Sequence, residues 1–445
     1  MARARFGTDG LRGVANGDLT AELAVALGRA AARVLDAPTF LVGRDTRRSG
    51  PFLQAALSAG LAAEGADVVD LGVLPTPGVA YCAERQKLPA AVVSASHNPF
   101  GDNGIKLFGH GGAKLSPEVE AAVEARIDGL LGVSVAGPTG RGVGTVAADP
   151  DAVAGYRAHL VDQLAGRRLD GLRVVLDCAN GAASDVAPAV FAALGADVST
   201  VGCHPDGVNI NDGCGSTHPD GLAAAVPAAG ADLGLAFDGD ADRVVAVDHT
   251  GSVVHGDRLV AMFAVDLASR GELTADTVVV TAMTNLGFRL GMAERGIAVR
   301  ETAVGDRHVL MALDAEGLAL GGEQSGHIVF RHRATTGDGV LSGLLLADLV
   351  VRSGRTVAAL ADGLMEVLPQ VLVNVPVAHP GRLADAEAVW TAVREAEARL
   401  GGTGRVLLRP SGTEPLVRVM VEAATEDDAA AAAKSLAQVV ERALR

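Results

Sequence analysis

Short runs of β-branched residues alternate with alanine-rich stretches along most of this chain, and that alternation restricts it to sheets flanked by helices. The clearest runs are Thr39–Val42, Ala90–Val93, Val174–Leu176, Leu233–Phe237 and Thr277–Thr281, each bounded by Gly, Asp, Asn or Ser. The order predicts parallel sheets. One local phrase recurs, in which a helix ends at glycine and a strand begins: Gly65-Ala66-Asp67-Val68, Gly195-Ala196-Asp197-Val198 and Gly296-Ile297-Ala298-Val299. It reads as three related α/β units. The C-terminal segment differs, with a strand near Val371–Val377, a helix over Asp385–Leu400, strands near Val406 and Leu416–Val421, and a closing helix. Thr425, with Asp428 after it, supplies the start of that helix, and the whole is a small α+β unit.

At 445 residues the chain exceeds one core, and ordinary domain sizes suggest about three units. Aromatic residues are only 3%, so the cores must be filled by Ala, Val and Leu. A net charge of -15 argues against nucleic acid as a partner and requires any phosphate-handling site to gather its basic groups locally. The four cysteines form no C-x-x-C pair, which fits a reducing compartment. Cys203, His204, Cys214 and His218 match no common zinc spacing. The N-terminal residues lead into Gly and Asp rather than an apolar run, and no stretch is apolar for the ~18 residues of a membrane span. The chain reads as cytoplasmic, with no membrane partner.

Several segments carry chemistry. Ala91-Val92-Val93-Ser94-Ala95-Ser96-His97-Asn98-Pro99 runs from an apolar strand into a polar loop, placing the Ser96 hydroxyl at a strand's carboxyl end, where clefts form in open sheets. It lacks the G-x-S-x-G surround of an esterase elbow; taken alone it also reads as a turn with a capping serine. Asp238-Gly239-Asp240-Ala241-Asp242-Arg243 sets three carboxylates at alternate positions, able to converge on one hard cation. An EF-hand is excluded, because Arg243 and His249 stand where that loop needs Gly and an acid. A magnesium site keeps positions for phosphate oxygens, and Arg243 would counter such a phosphate; the competing reading is a solvated acidic turn.

Arg409-Pro410-Ser411-Gly412-Thr413-Glu414-Pro415 offers a guanidinium, two hydroxyls and backbone donors around a glycine, which is phosphate-binding chemistry, with Arg418 on the next strand. Gly321 to His327, including Glu323, Gln324 and Ser325, has the donors and acceptors to read sugar hydroxyls. Lys106 lies a short loop beyond Ser96 and could supply a cation or a proton shuttle. Phe6 to Gly13 is a polar, glycine-rich loop containing Arg12.

The ordered series FGTDGLRG, SASHNP, DNGIKLFG, DGDADR, GGEQSGH and RPSGTEP resembles the α-D-phosphohexomutase superfamily over nearly the whole chain. The resemblance implies four domains around a central cleft: 1–150 with the phosphoserine loop, 151–252 with the metal loop, 253–368 with the sugar loop and 369–445 as an α+β phosphate-binding unit. By the same resemblance, Ser96 is the phosphoserine, and Asp238, Asp240 and Asp242 hold one Mg2+ with its phosphate. Glu323 and Ser325 would bind the sugar, and Arg409, Ser411, Gly412 and Thr413 its distal phosphate. Arg12, Lys106 and His327 would serve proton transfer and charge stabilisation.

Gln324, the phrase Asn211 to His218 and the phrase Thr335 to Gly339 are most similar to the branch acting on glucosamine phosphate; mannose and glucose phosphate mutases often carry Met at the place of Gln324. The implied reaction interconverts glucosamine 6-phosphate and glucosamine 1-phosphate through a bound 1,6-bisphosphate, with glucosamine or glucose 1,6-bisphosphate as activator. A phosphomannomutase or phosphoglucomutase, or a non-catalytic sugar-phosphate sensor, are the rival readings. The intermediate must turn end for end, so a lid hinged near residues 366–372 is expected. Relatives often pair, which makes a homodimer the implied assembly, although no surface in the sequence marks it.

Overall fold

The computed structural model describes residues 6–7, 10–133, 135–411 and 415–445. Among these residues four sheets follow one another. The first has six strands in the spatial order Leu11–Val14, Asp102–Phe108, Ala90–Val93, Thr39–Arg44, Asp67–Val73 and Val146–Ala148. The second has five, centred on Leu233–Phe237 and Arg173–Asp177; the third has four, centred on Thr277–Thr281 and Leu320–Gly322. The last is an antiparallel sheet of three: Gln370–Pro376, Leu416–Glu422 and Arg405–Pro410.

The three α/β sheets are mixed, not purely parallel as the alternation suggested. Ala90–Val93 pairs antiparallel with Asp102–Phe108, Leu233–Phe237 with Val244–Asp248, and Leu320–Gly322 with Ile328–Phe330. In each case the connection is too short to hold a crossover helix, so the chain can only turn back as a hairpin. The recurring glycines behave alike: Gly65, Gly195 and Gly296 all have positive φ, at 94°, 94° and 71°, ahead of the strands at Asp67, Asp197 and Ala298. Thr425 caps the last helix, Glu426–Ala443, by accepting from Asp428 N at 3.2 Å. The helix expected from Asp385 begins at Glu387, after a 3-10 turn over Pro380–Asp385. Among the described residues no helix is long and apolar enough to cross a membrane.

One apolar cluster runs unbroken from the first unit to the third, through Phe108, Tyr156, Phe191, Phe237, Phe263, Phe288 and Met365. The C-terminal unit has a core of its own, built on Val389, Val419, Ala433 and Val440. Polar contacts help join it to the third unit. Glu422, fully buried, accepts from Asn285 Nδ2 at 3.2 Å, Leu286 N at 3.0 Å and Arg405 Nε at 2.7 Å. Asn285 also exchanges hydrogen bonds with Leu368, inside the segment expected to hinge.

Asp257 accepts from Asn285 N at 2.9 Å, and burial, with the Glu422 charge adding to it, pushes its carboxyl up to about 6. A raised carboxyl pKa favours folding fully below the unfolded value and is lost as pH rises through about 6, so above that pH the charged form is a burden of ~2–3 kcal/mol. Asp257→Asn keeps an acceptor without the charge. It is therefore expected to melt several degrees higher than the parent at about pH 8, the gain fading below about pH 5; an equal gain at both pH values in thermal melts would contradict this.

Candidate active site

The strand Ala90–Val93 delivers Ser96 into a buried turn, where its φ is 52°, a left-handed conformation that serine adopts only when held. Arg47 holds it. This arginine is 1% exposed and its guanidinium donates to the carbonyls of Ser96 (2.9 Å), Asn98 (2.8 Å), Pro99 and Asp102 (3.0 Å), while Asp45 Oδ2 accepts from its Nε at 2.9 Å. Asn211 Nδ2, from the second unit, donates to the same Ser96 and Asn98 carbonyls at 2.9 and 3.0 Å. Ser94 Oγ accepts from Ser96 N at 3.0 Å and donates to Asp45 at 2.6 Å. Burial pushes the Asp45 carboxyl up, and Arg47 opposes that.

The strand Leu233–Phe237 ends in the acidic triplet. Asp238, Asp240 and Asp242 are all buried, and one carboxylate oxygen of each lies within 4.8 Å of the others. Ser96 Oγ donates to Asp238 Oδ2 at 2.5 Å, so the hydroxyl and the triplet meet across two units. Burial, then Asp242 and Asp240, drive the Asp238 carboxyl well above the usual range. Lys106 Nζ sits 3.1 Å from Asp240 and 3.2 Å from Asp242, and Thr76 Oγ1 donates to Asp240 at 2.7 Å. Asp240 Oδ1 is buried with no hydrogen-bond partner among the described residues. Three oxygen-bearing anions at this separation, one oxygen orphaned, suit a hard divalent cation with oxygen ligands.

Positive groups ring this centre. Arg243 Nη1 donates to His97 Nδ1 at 3.2 Å, and Ser96 Oγ is 3.4 Å from the same nitrogen. Burial, then Arg243 and Arg12, lower the His97 pKa, which disfavours the charged ring. Arg12 sits on the strand Leu11–Val14 opposite Gly104, not in a loop as its glycine-rich surround suggested, because that strand pairs with Asp102–Phe108. Lys106 lies on the latter strand and is 5% exposed.

In the third unit, Glu323, Gln324 and Ser325 occupy the turn between Leu320–Gly322 and Ile328–Phe330, with Gln324 and Ser325 exposed. Burial raises the Glu323 carboxyl, opposed by His327 and Arg243 and supported by Asp306. His327 is buried beside it, 3.7 Å from Asp306, and a Cβ on Gly337 would fall 2.4 Å from its Nε2, so only glycine fits there. The structure thus places His327 with the sugar loop and gives it no contact with Ser96. Lys114 pairs with Asp306, and Arg307 with Glu120, which ties the third unit to the first.

Arg409 and Arg418 are direct register partners across the C-terminal sheet. Burial and then Arg418 lower the Arg409 pKa, and like charges in this position are costly unless an anion lies between them. Ser411 follows that strand; Gly412 and Thr413 lie outside the described residues.

Models of four phosphoglucomutase/phosphomannomutase domains match the chain: α/β/α domain I over 3–131, domain II over 154–251, domain III over 255–368 and the C-terminal domain over 372–439. The chain belongs to this family. It is 55% identical to the phosphoglucosamine mutase of Streptomyces coelicolor, over 99% of each chain. A solved phosphoglucomutase/phosphomannomutase family protein from Burkholderia thailandensis superposes with a TM-score of 0.82 at 27% identity, covering 100% of this chain and 98% of that one. The N-acetylphosphoglucosamine mutase of Aspergillus fumigatus, solved with GlcNAc-6P and magnesium, shares the fold, with a TM-score of 0.69 at 20% identity over 99% and 96%. The activity of this phosphohexomutase is the interconversion of phosphohexoses.

Two phrases that set this phosphohexomutase apart in sequence support the centre from behind. Asn211 holds the Ser96 turn, while Gly215 N donates to Asp177 Oδ2 at 2.7 Å and Ser216 N to the Phe237 carbonyl at 2.8 Å. Asp338 caps the helix Gly339–Ser353, accepts from Tyr156 Oη at 2.8 Å, and precedes Gly339, whose N–H meets the Ala241 carbonyl at 2.9 Å. Arg47, Thr76, His97 and Asn211 were not singled out individually from the sequence. The available signal for Arg47 was Gly43-Arg44-Asp45-Thr46-Arg47, polar residues at the carboxyl end of a buried strand.

Proposed function

We propose that the chain interconverts glucosamine 6-phosphate and glucosamine 1-phosphate through phosphorylated Ser96 and a bound 1,6-bisphosphate. The observation that carries the reaction is the 2.5 Å contact between Ser96 Oγ and Asp238. The choice of sugar rests on the Streptomyces coelicolor relative, a phosphoglucosamine mutase 55% identical over nearly the full length, together with Gln324 in the exposed sugar turn.

In this reading, Asp238, Asp240, Asp242 and the phosphate on Ser96 hold Mg2+. The ion would supply charge neutralisation for the phosphoryl group in flight. The O1 hydroxyl of glucosamine 6-phosphate attacks the phosphorus, the bond to Ser96 Oγ breaks, and the bisphosphate forms. It turns over and returns its 6-phosphoryl group to Ser96. Lys106, Arg12 and Arg243 stabilise the transferring charge, and Lys106 and His327 are the groups available to move the hydroxyl's proton, the Arg12 guanidinium being a donor only. Glu323 and Ser325 orient the ring, while Arg409, Ser411, Gly412, Thr413 and Arg418 grip the distal phosphate. Glucosamine or glucose 1,6-bisphosphate primes Ser96. Such transfer depends chiefly on positioning and electrostatics, which is what this constellation provides.

Comparison of kcat/KM on the 6-phosphates of glucosamine, glucose and mannose tests the sugar assignment. Glucosamine 6-phosphate is expected to lead by roughly tenfold or more, the worth of one or two hydrogen bonds to the 2-substituent. A clear preference for glucose or mannose phosphate would overturn it.

A further inference from the structure

The strands Thr39–Arg44 and Ala90–Val93 run parallel with Arg44 opposite Val93, so one residue further on Asp45 stands beside Ser94, its own N–H on the Val93 carbonyl at 3.1 Å. Asp45 and Ser94 are both fully buried. The Asp45 carboxylate receives three donors there: Arg47 N on Oδ1 at 2.9 Å, and Arg47 Nε and Ser94 Oγ on Oδ2 at 2.9 and 2.6 Å. Each of the two side chains then passes the constraint on to Ser96. Ser94 Oγ accepts from Ser96 N at 3.0 Å, and Arg47 Nη2 donates to Ser96 O at 2.9 Å. With Nε on Asp45, the carbonyls of Ser96, Asn98, Pro99 and Asp102 take the remaining N–H groups of Arg47, so that its fork is oriented by Asp45 and spent on the turn.

The N–H and the carbonyl of Ser96 thus both trace back to one carboxylate, and between them the residue keeps its φ of 52°. A serine in that region carries strain of about 1–3 kcal/mol, which its surroundings must offset. We propose that Asp45 is a positioning residue for phosphoryl transfer: through Ser94 and Arg47 it holds Ser96 in the left-handed conformation that aims Oγ at the acidic triplet. The inference rests on the reading of Ser96 as the phosphorylated nucleophile. The chemistry of the hub demands a charged carboxylate. An ionised carboxyl group only accepts and can take all three donors, whereas an amide has one acceptor oxygen and brings two donors of its own, so Asp45→Asn leaves at least one of the three unmatched and loosens Ser94 or Arg47.

Timed intact-mass measurement of phosphoryl uptake from glucose 1,6-bisphosphate by the full chain, beside turnover and thermal melts, tests this. Asp45→Asn and Ser94→Ala should each slow uptake and kcat together, by about tenfold to a hundredfold, as misplacement near 1 Å at a reacting centre does. KM should stay within about twofold of the parent's, because the substrate's own contacts are untouched. Ser94→Thr restores the hydroxyl and should recover most of what Ser94→Ala loses. The double variant should fall short of the product of the two single losses, since both break one chain of contacts. A staple serving stability alone would lower the melting temperature and leave kcat of the folded protein as it was. The proposal is overturned if Ser94→Thr is as slow as Ser94→Ala, if the two losses multiply in full, or if KM rises while kcat holds. Should Asp45→Asn yield no folded protein, the Ser94 pair decides alone. Uptake that persists in Ser96→Ala would instead refute the nucleophile on which the inference rests, which keeps the two failures apart.

Discussion

Ser96→Ala is expected to take up no phosphoryl group from glucose 1,6-bisphosphate and to turn over glucosamine 6-phosphate at least a thousandfold more slowly than the parent, as loss of a covalent nucleophile requires. The substitution removes one buried oxygen and leaves the backbone anchors in place, because Arg47 and Asn211 hold the Ser96 carbonyl, not its side chain. Its melting temperature should therefore stay close to the parent's. Intact-mass measurement after incubation with the bisphosphate separates the two proteins. Equal uptake by both would remove Ser96 from the mechanism, whatever happened to the rate.

Asp238→Asn should move activity and stability in opposite directions. Without a cation, Asp238 carries a charge that burial and its neighbours Asp242 and Asp240 oppose, which is why its carboxyl pKa is raised. A group with a raised folded pKa stabilises most when protonated, and that contribution disappears as pH rises through the folded value. Above the folded value, where the carboxylate is charged, the neutral amide should accordingly raise the melting temperature of the metal-free protein, by a margin that grows with pH. The same change removes a ligand charge, so kcat should fall by about a hundredfold or more, since a bound cation's charge stabilisation is worth several kcal/mol. The thermal stabilisation by added Mg2+ should shrink with it. Calorimetry with and without Mg2+, beside turnover, checks both signs; a metal-free variant less stable than the parent would show that the triplet is not under repulsive load.

Much of this arrangement was legible because backbone chemistry announces it locally. A buried strand that ends abruptly in Ser-His-Asn-Pro or Asp-Gly-Asp can only present those groups at a sheet's carboxyl edge, and Ser96 and Asp238 lie there. Arg47 was illegible for the opposite reason. Its acceptors are carbonyls spread from Ser96 to Asp102, and no local pattern marks an arginine that satisfies a distant turn. The hairpin strands were readable in principle, since the connection from Phe237 to Val244 cannot cross over, but composition alone does not tell direction. Arg12 read as a loop residue because glycines dominate its neighbourhood, yet pairing with Asp102–Phe108 makes it part of a strand. In both cases tertiary pairing overrode a local signal.

In the proposed mechanism the Ser96 phosphate and the acidic triplet share one divalent ion. Electron–nuclear double resonance on the phosphorylated protein loaded with Mn2+ reads that shared coordination. A phosphorus hyperfine coupling from a directly coordinated phosphate should appear in the parent and vanish in Ser96→Ala incubated with the same bisphosphate and then desalted. Manganese that binds at the triplet in phosphorylated parent protein without any such coupling would contradict the account.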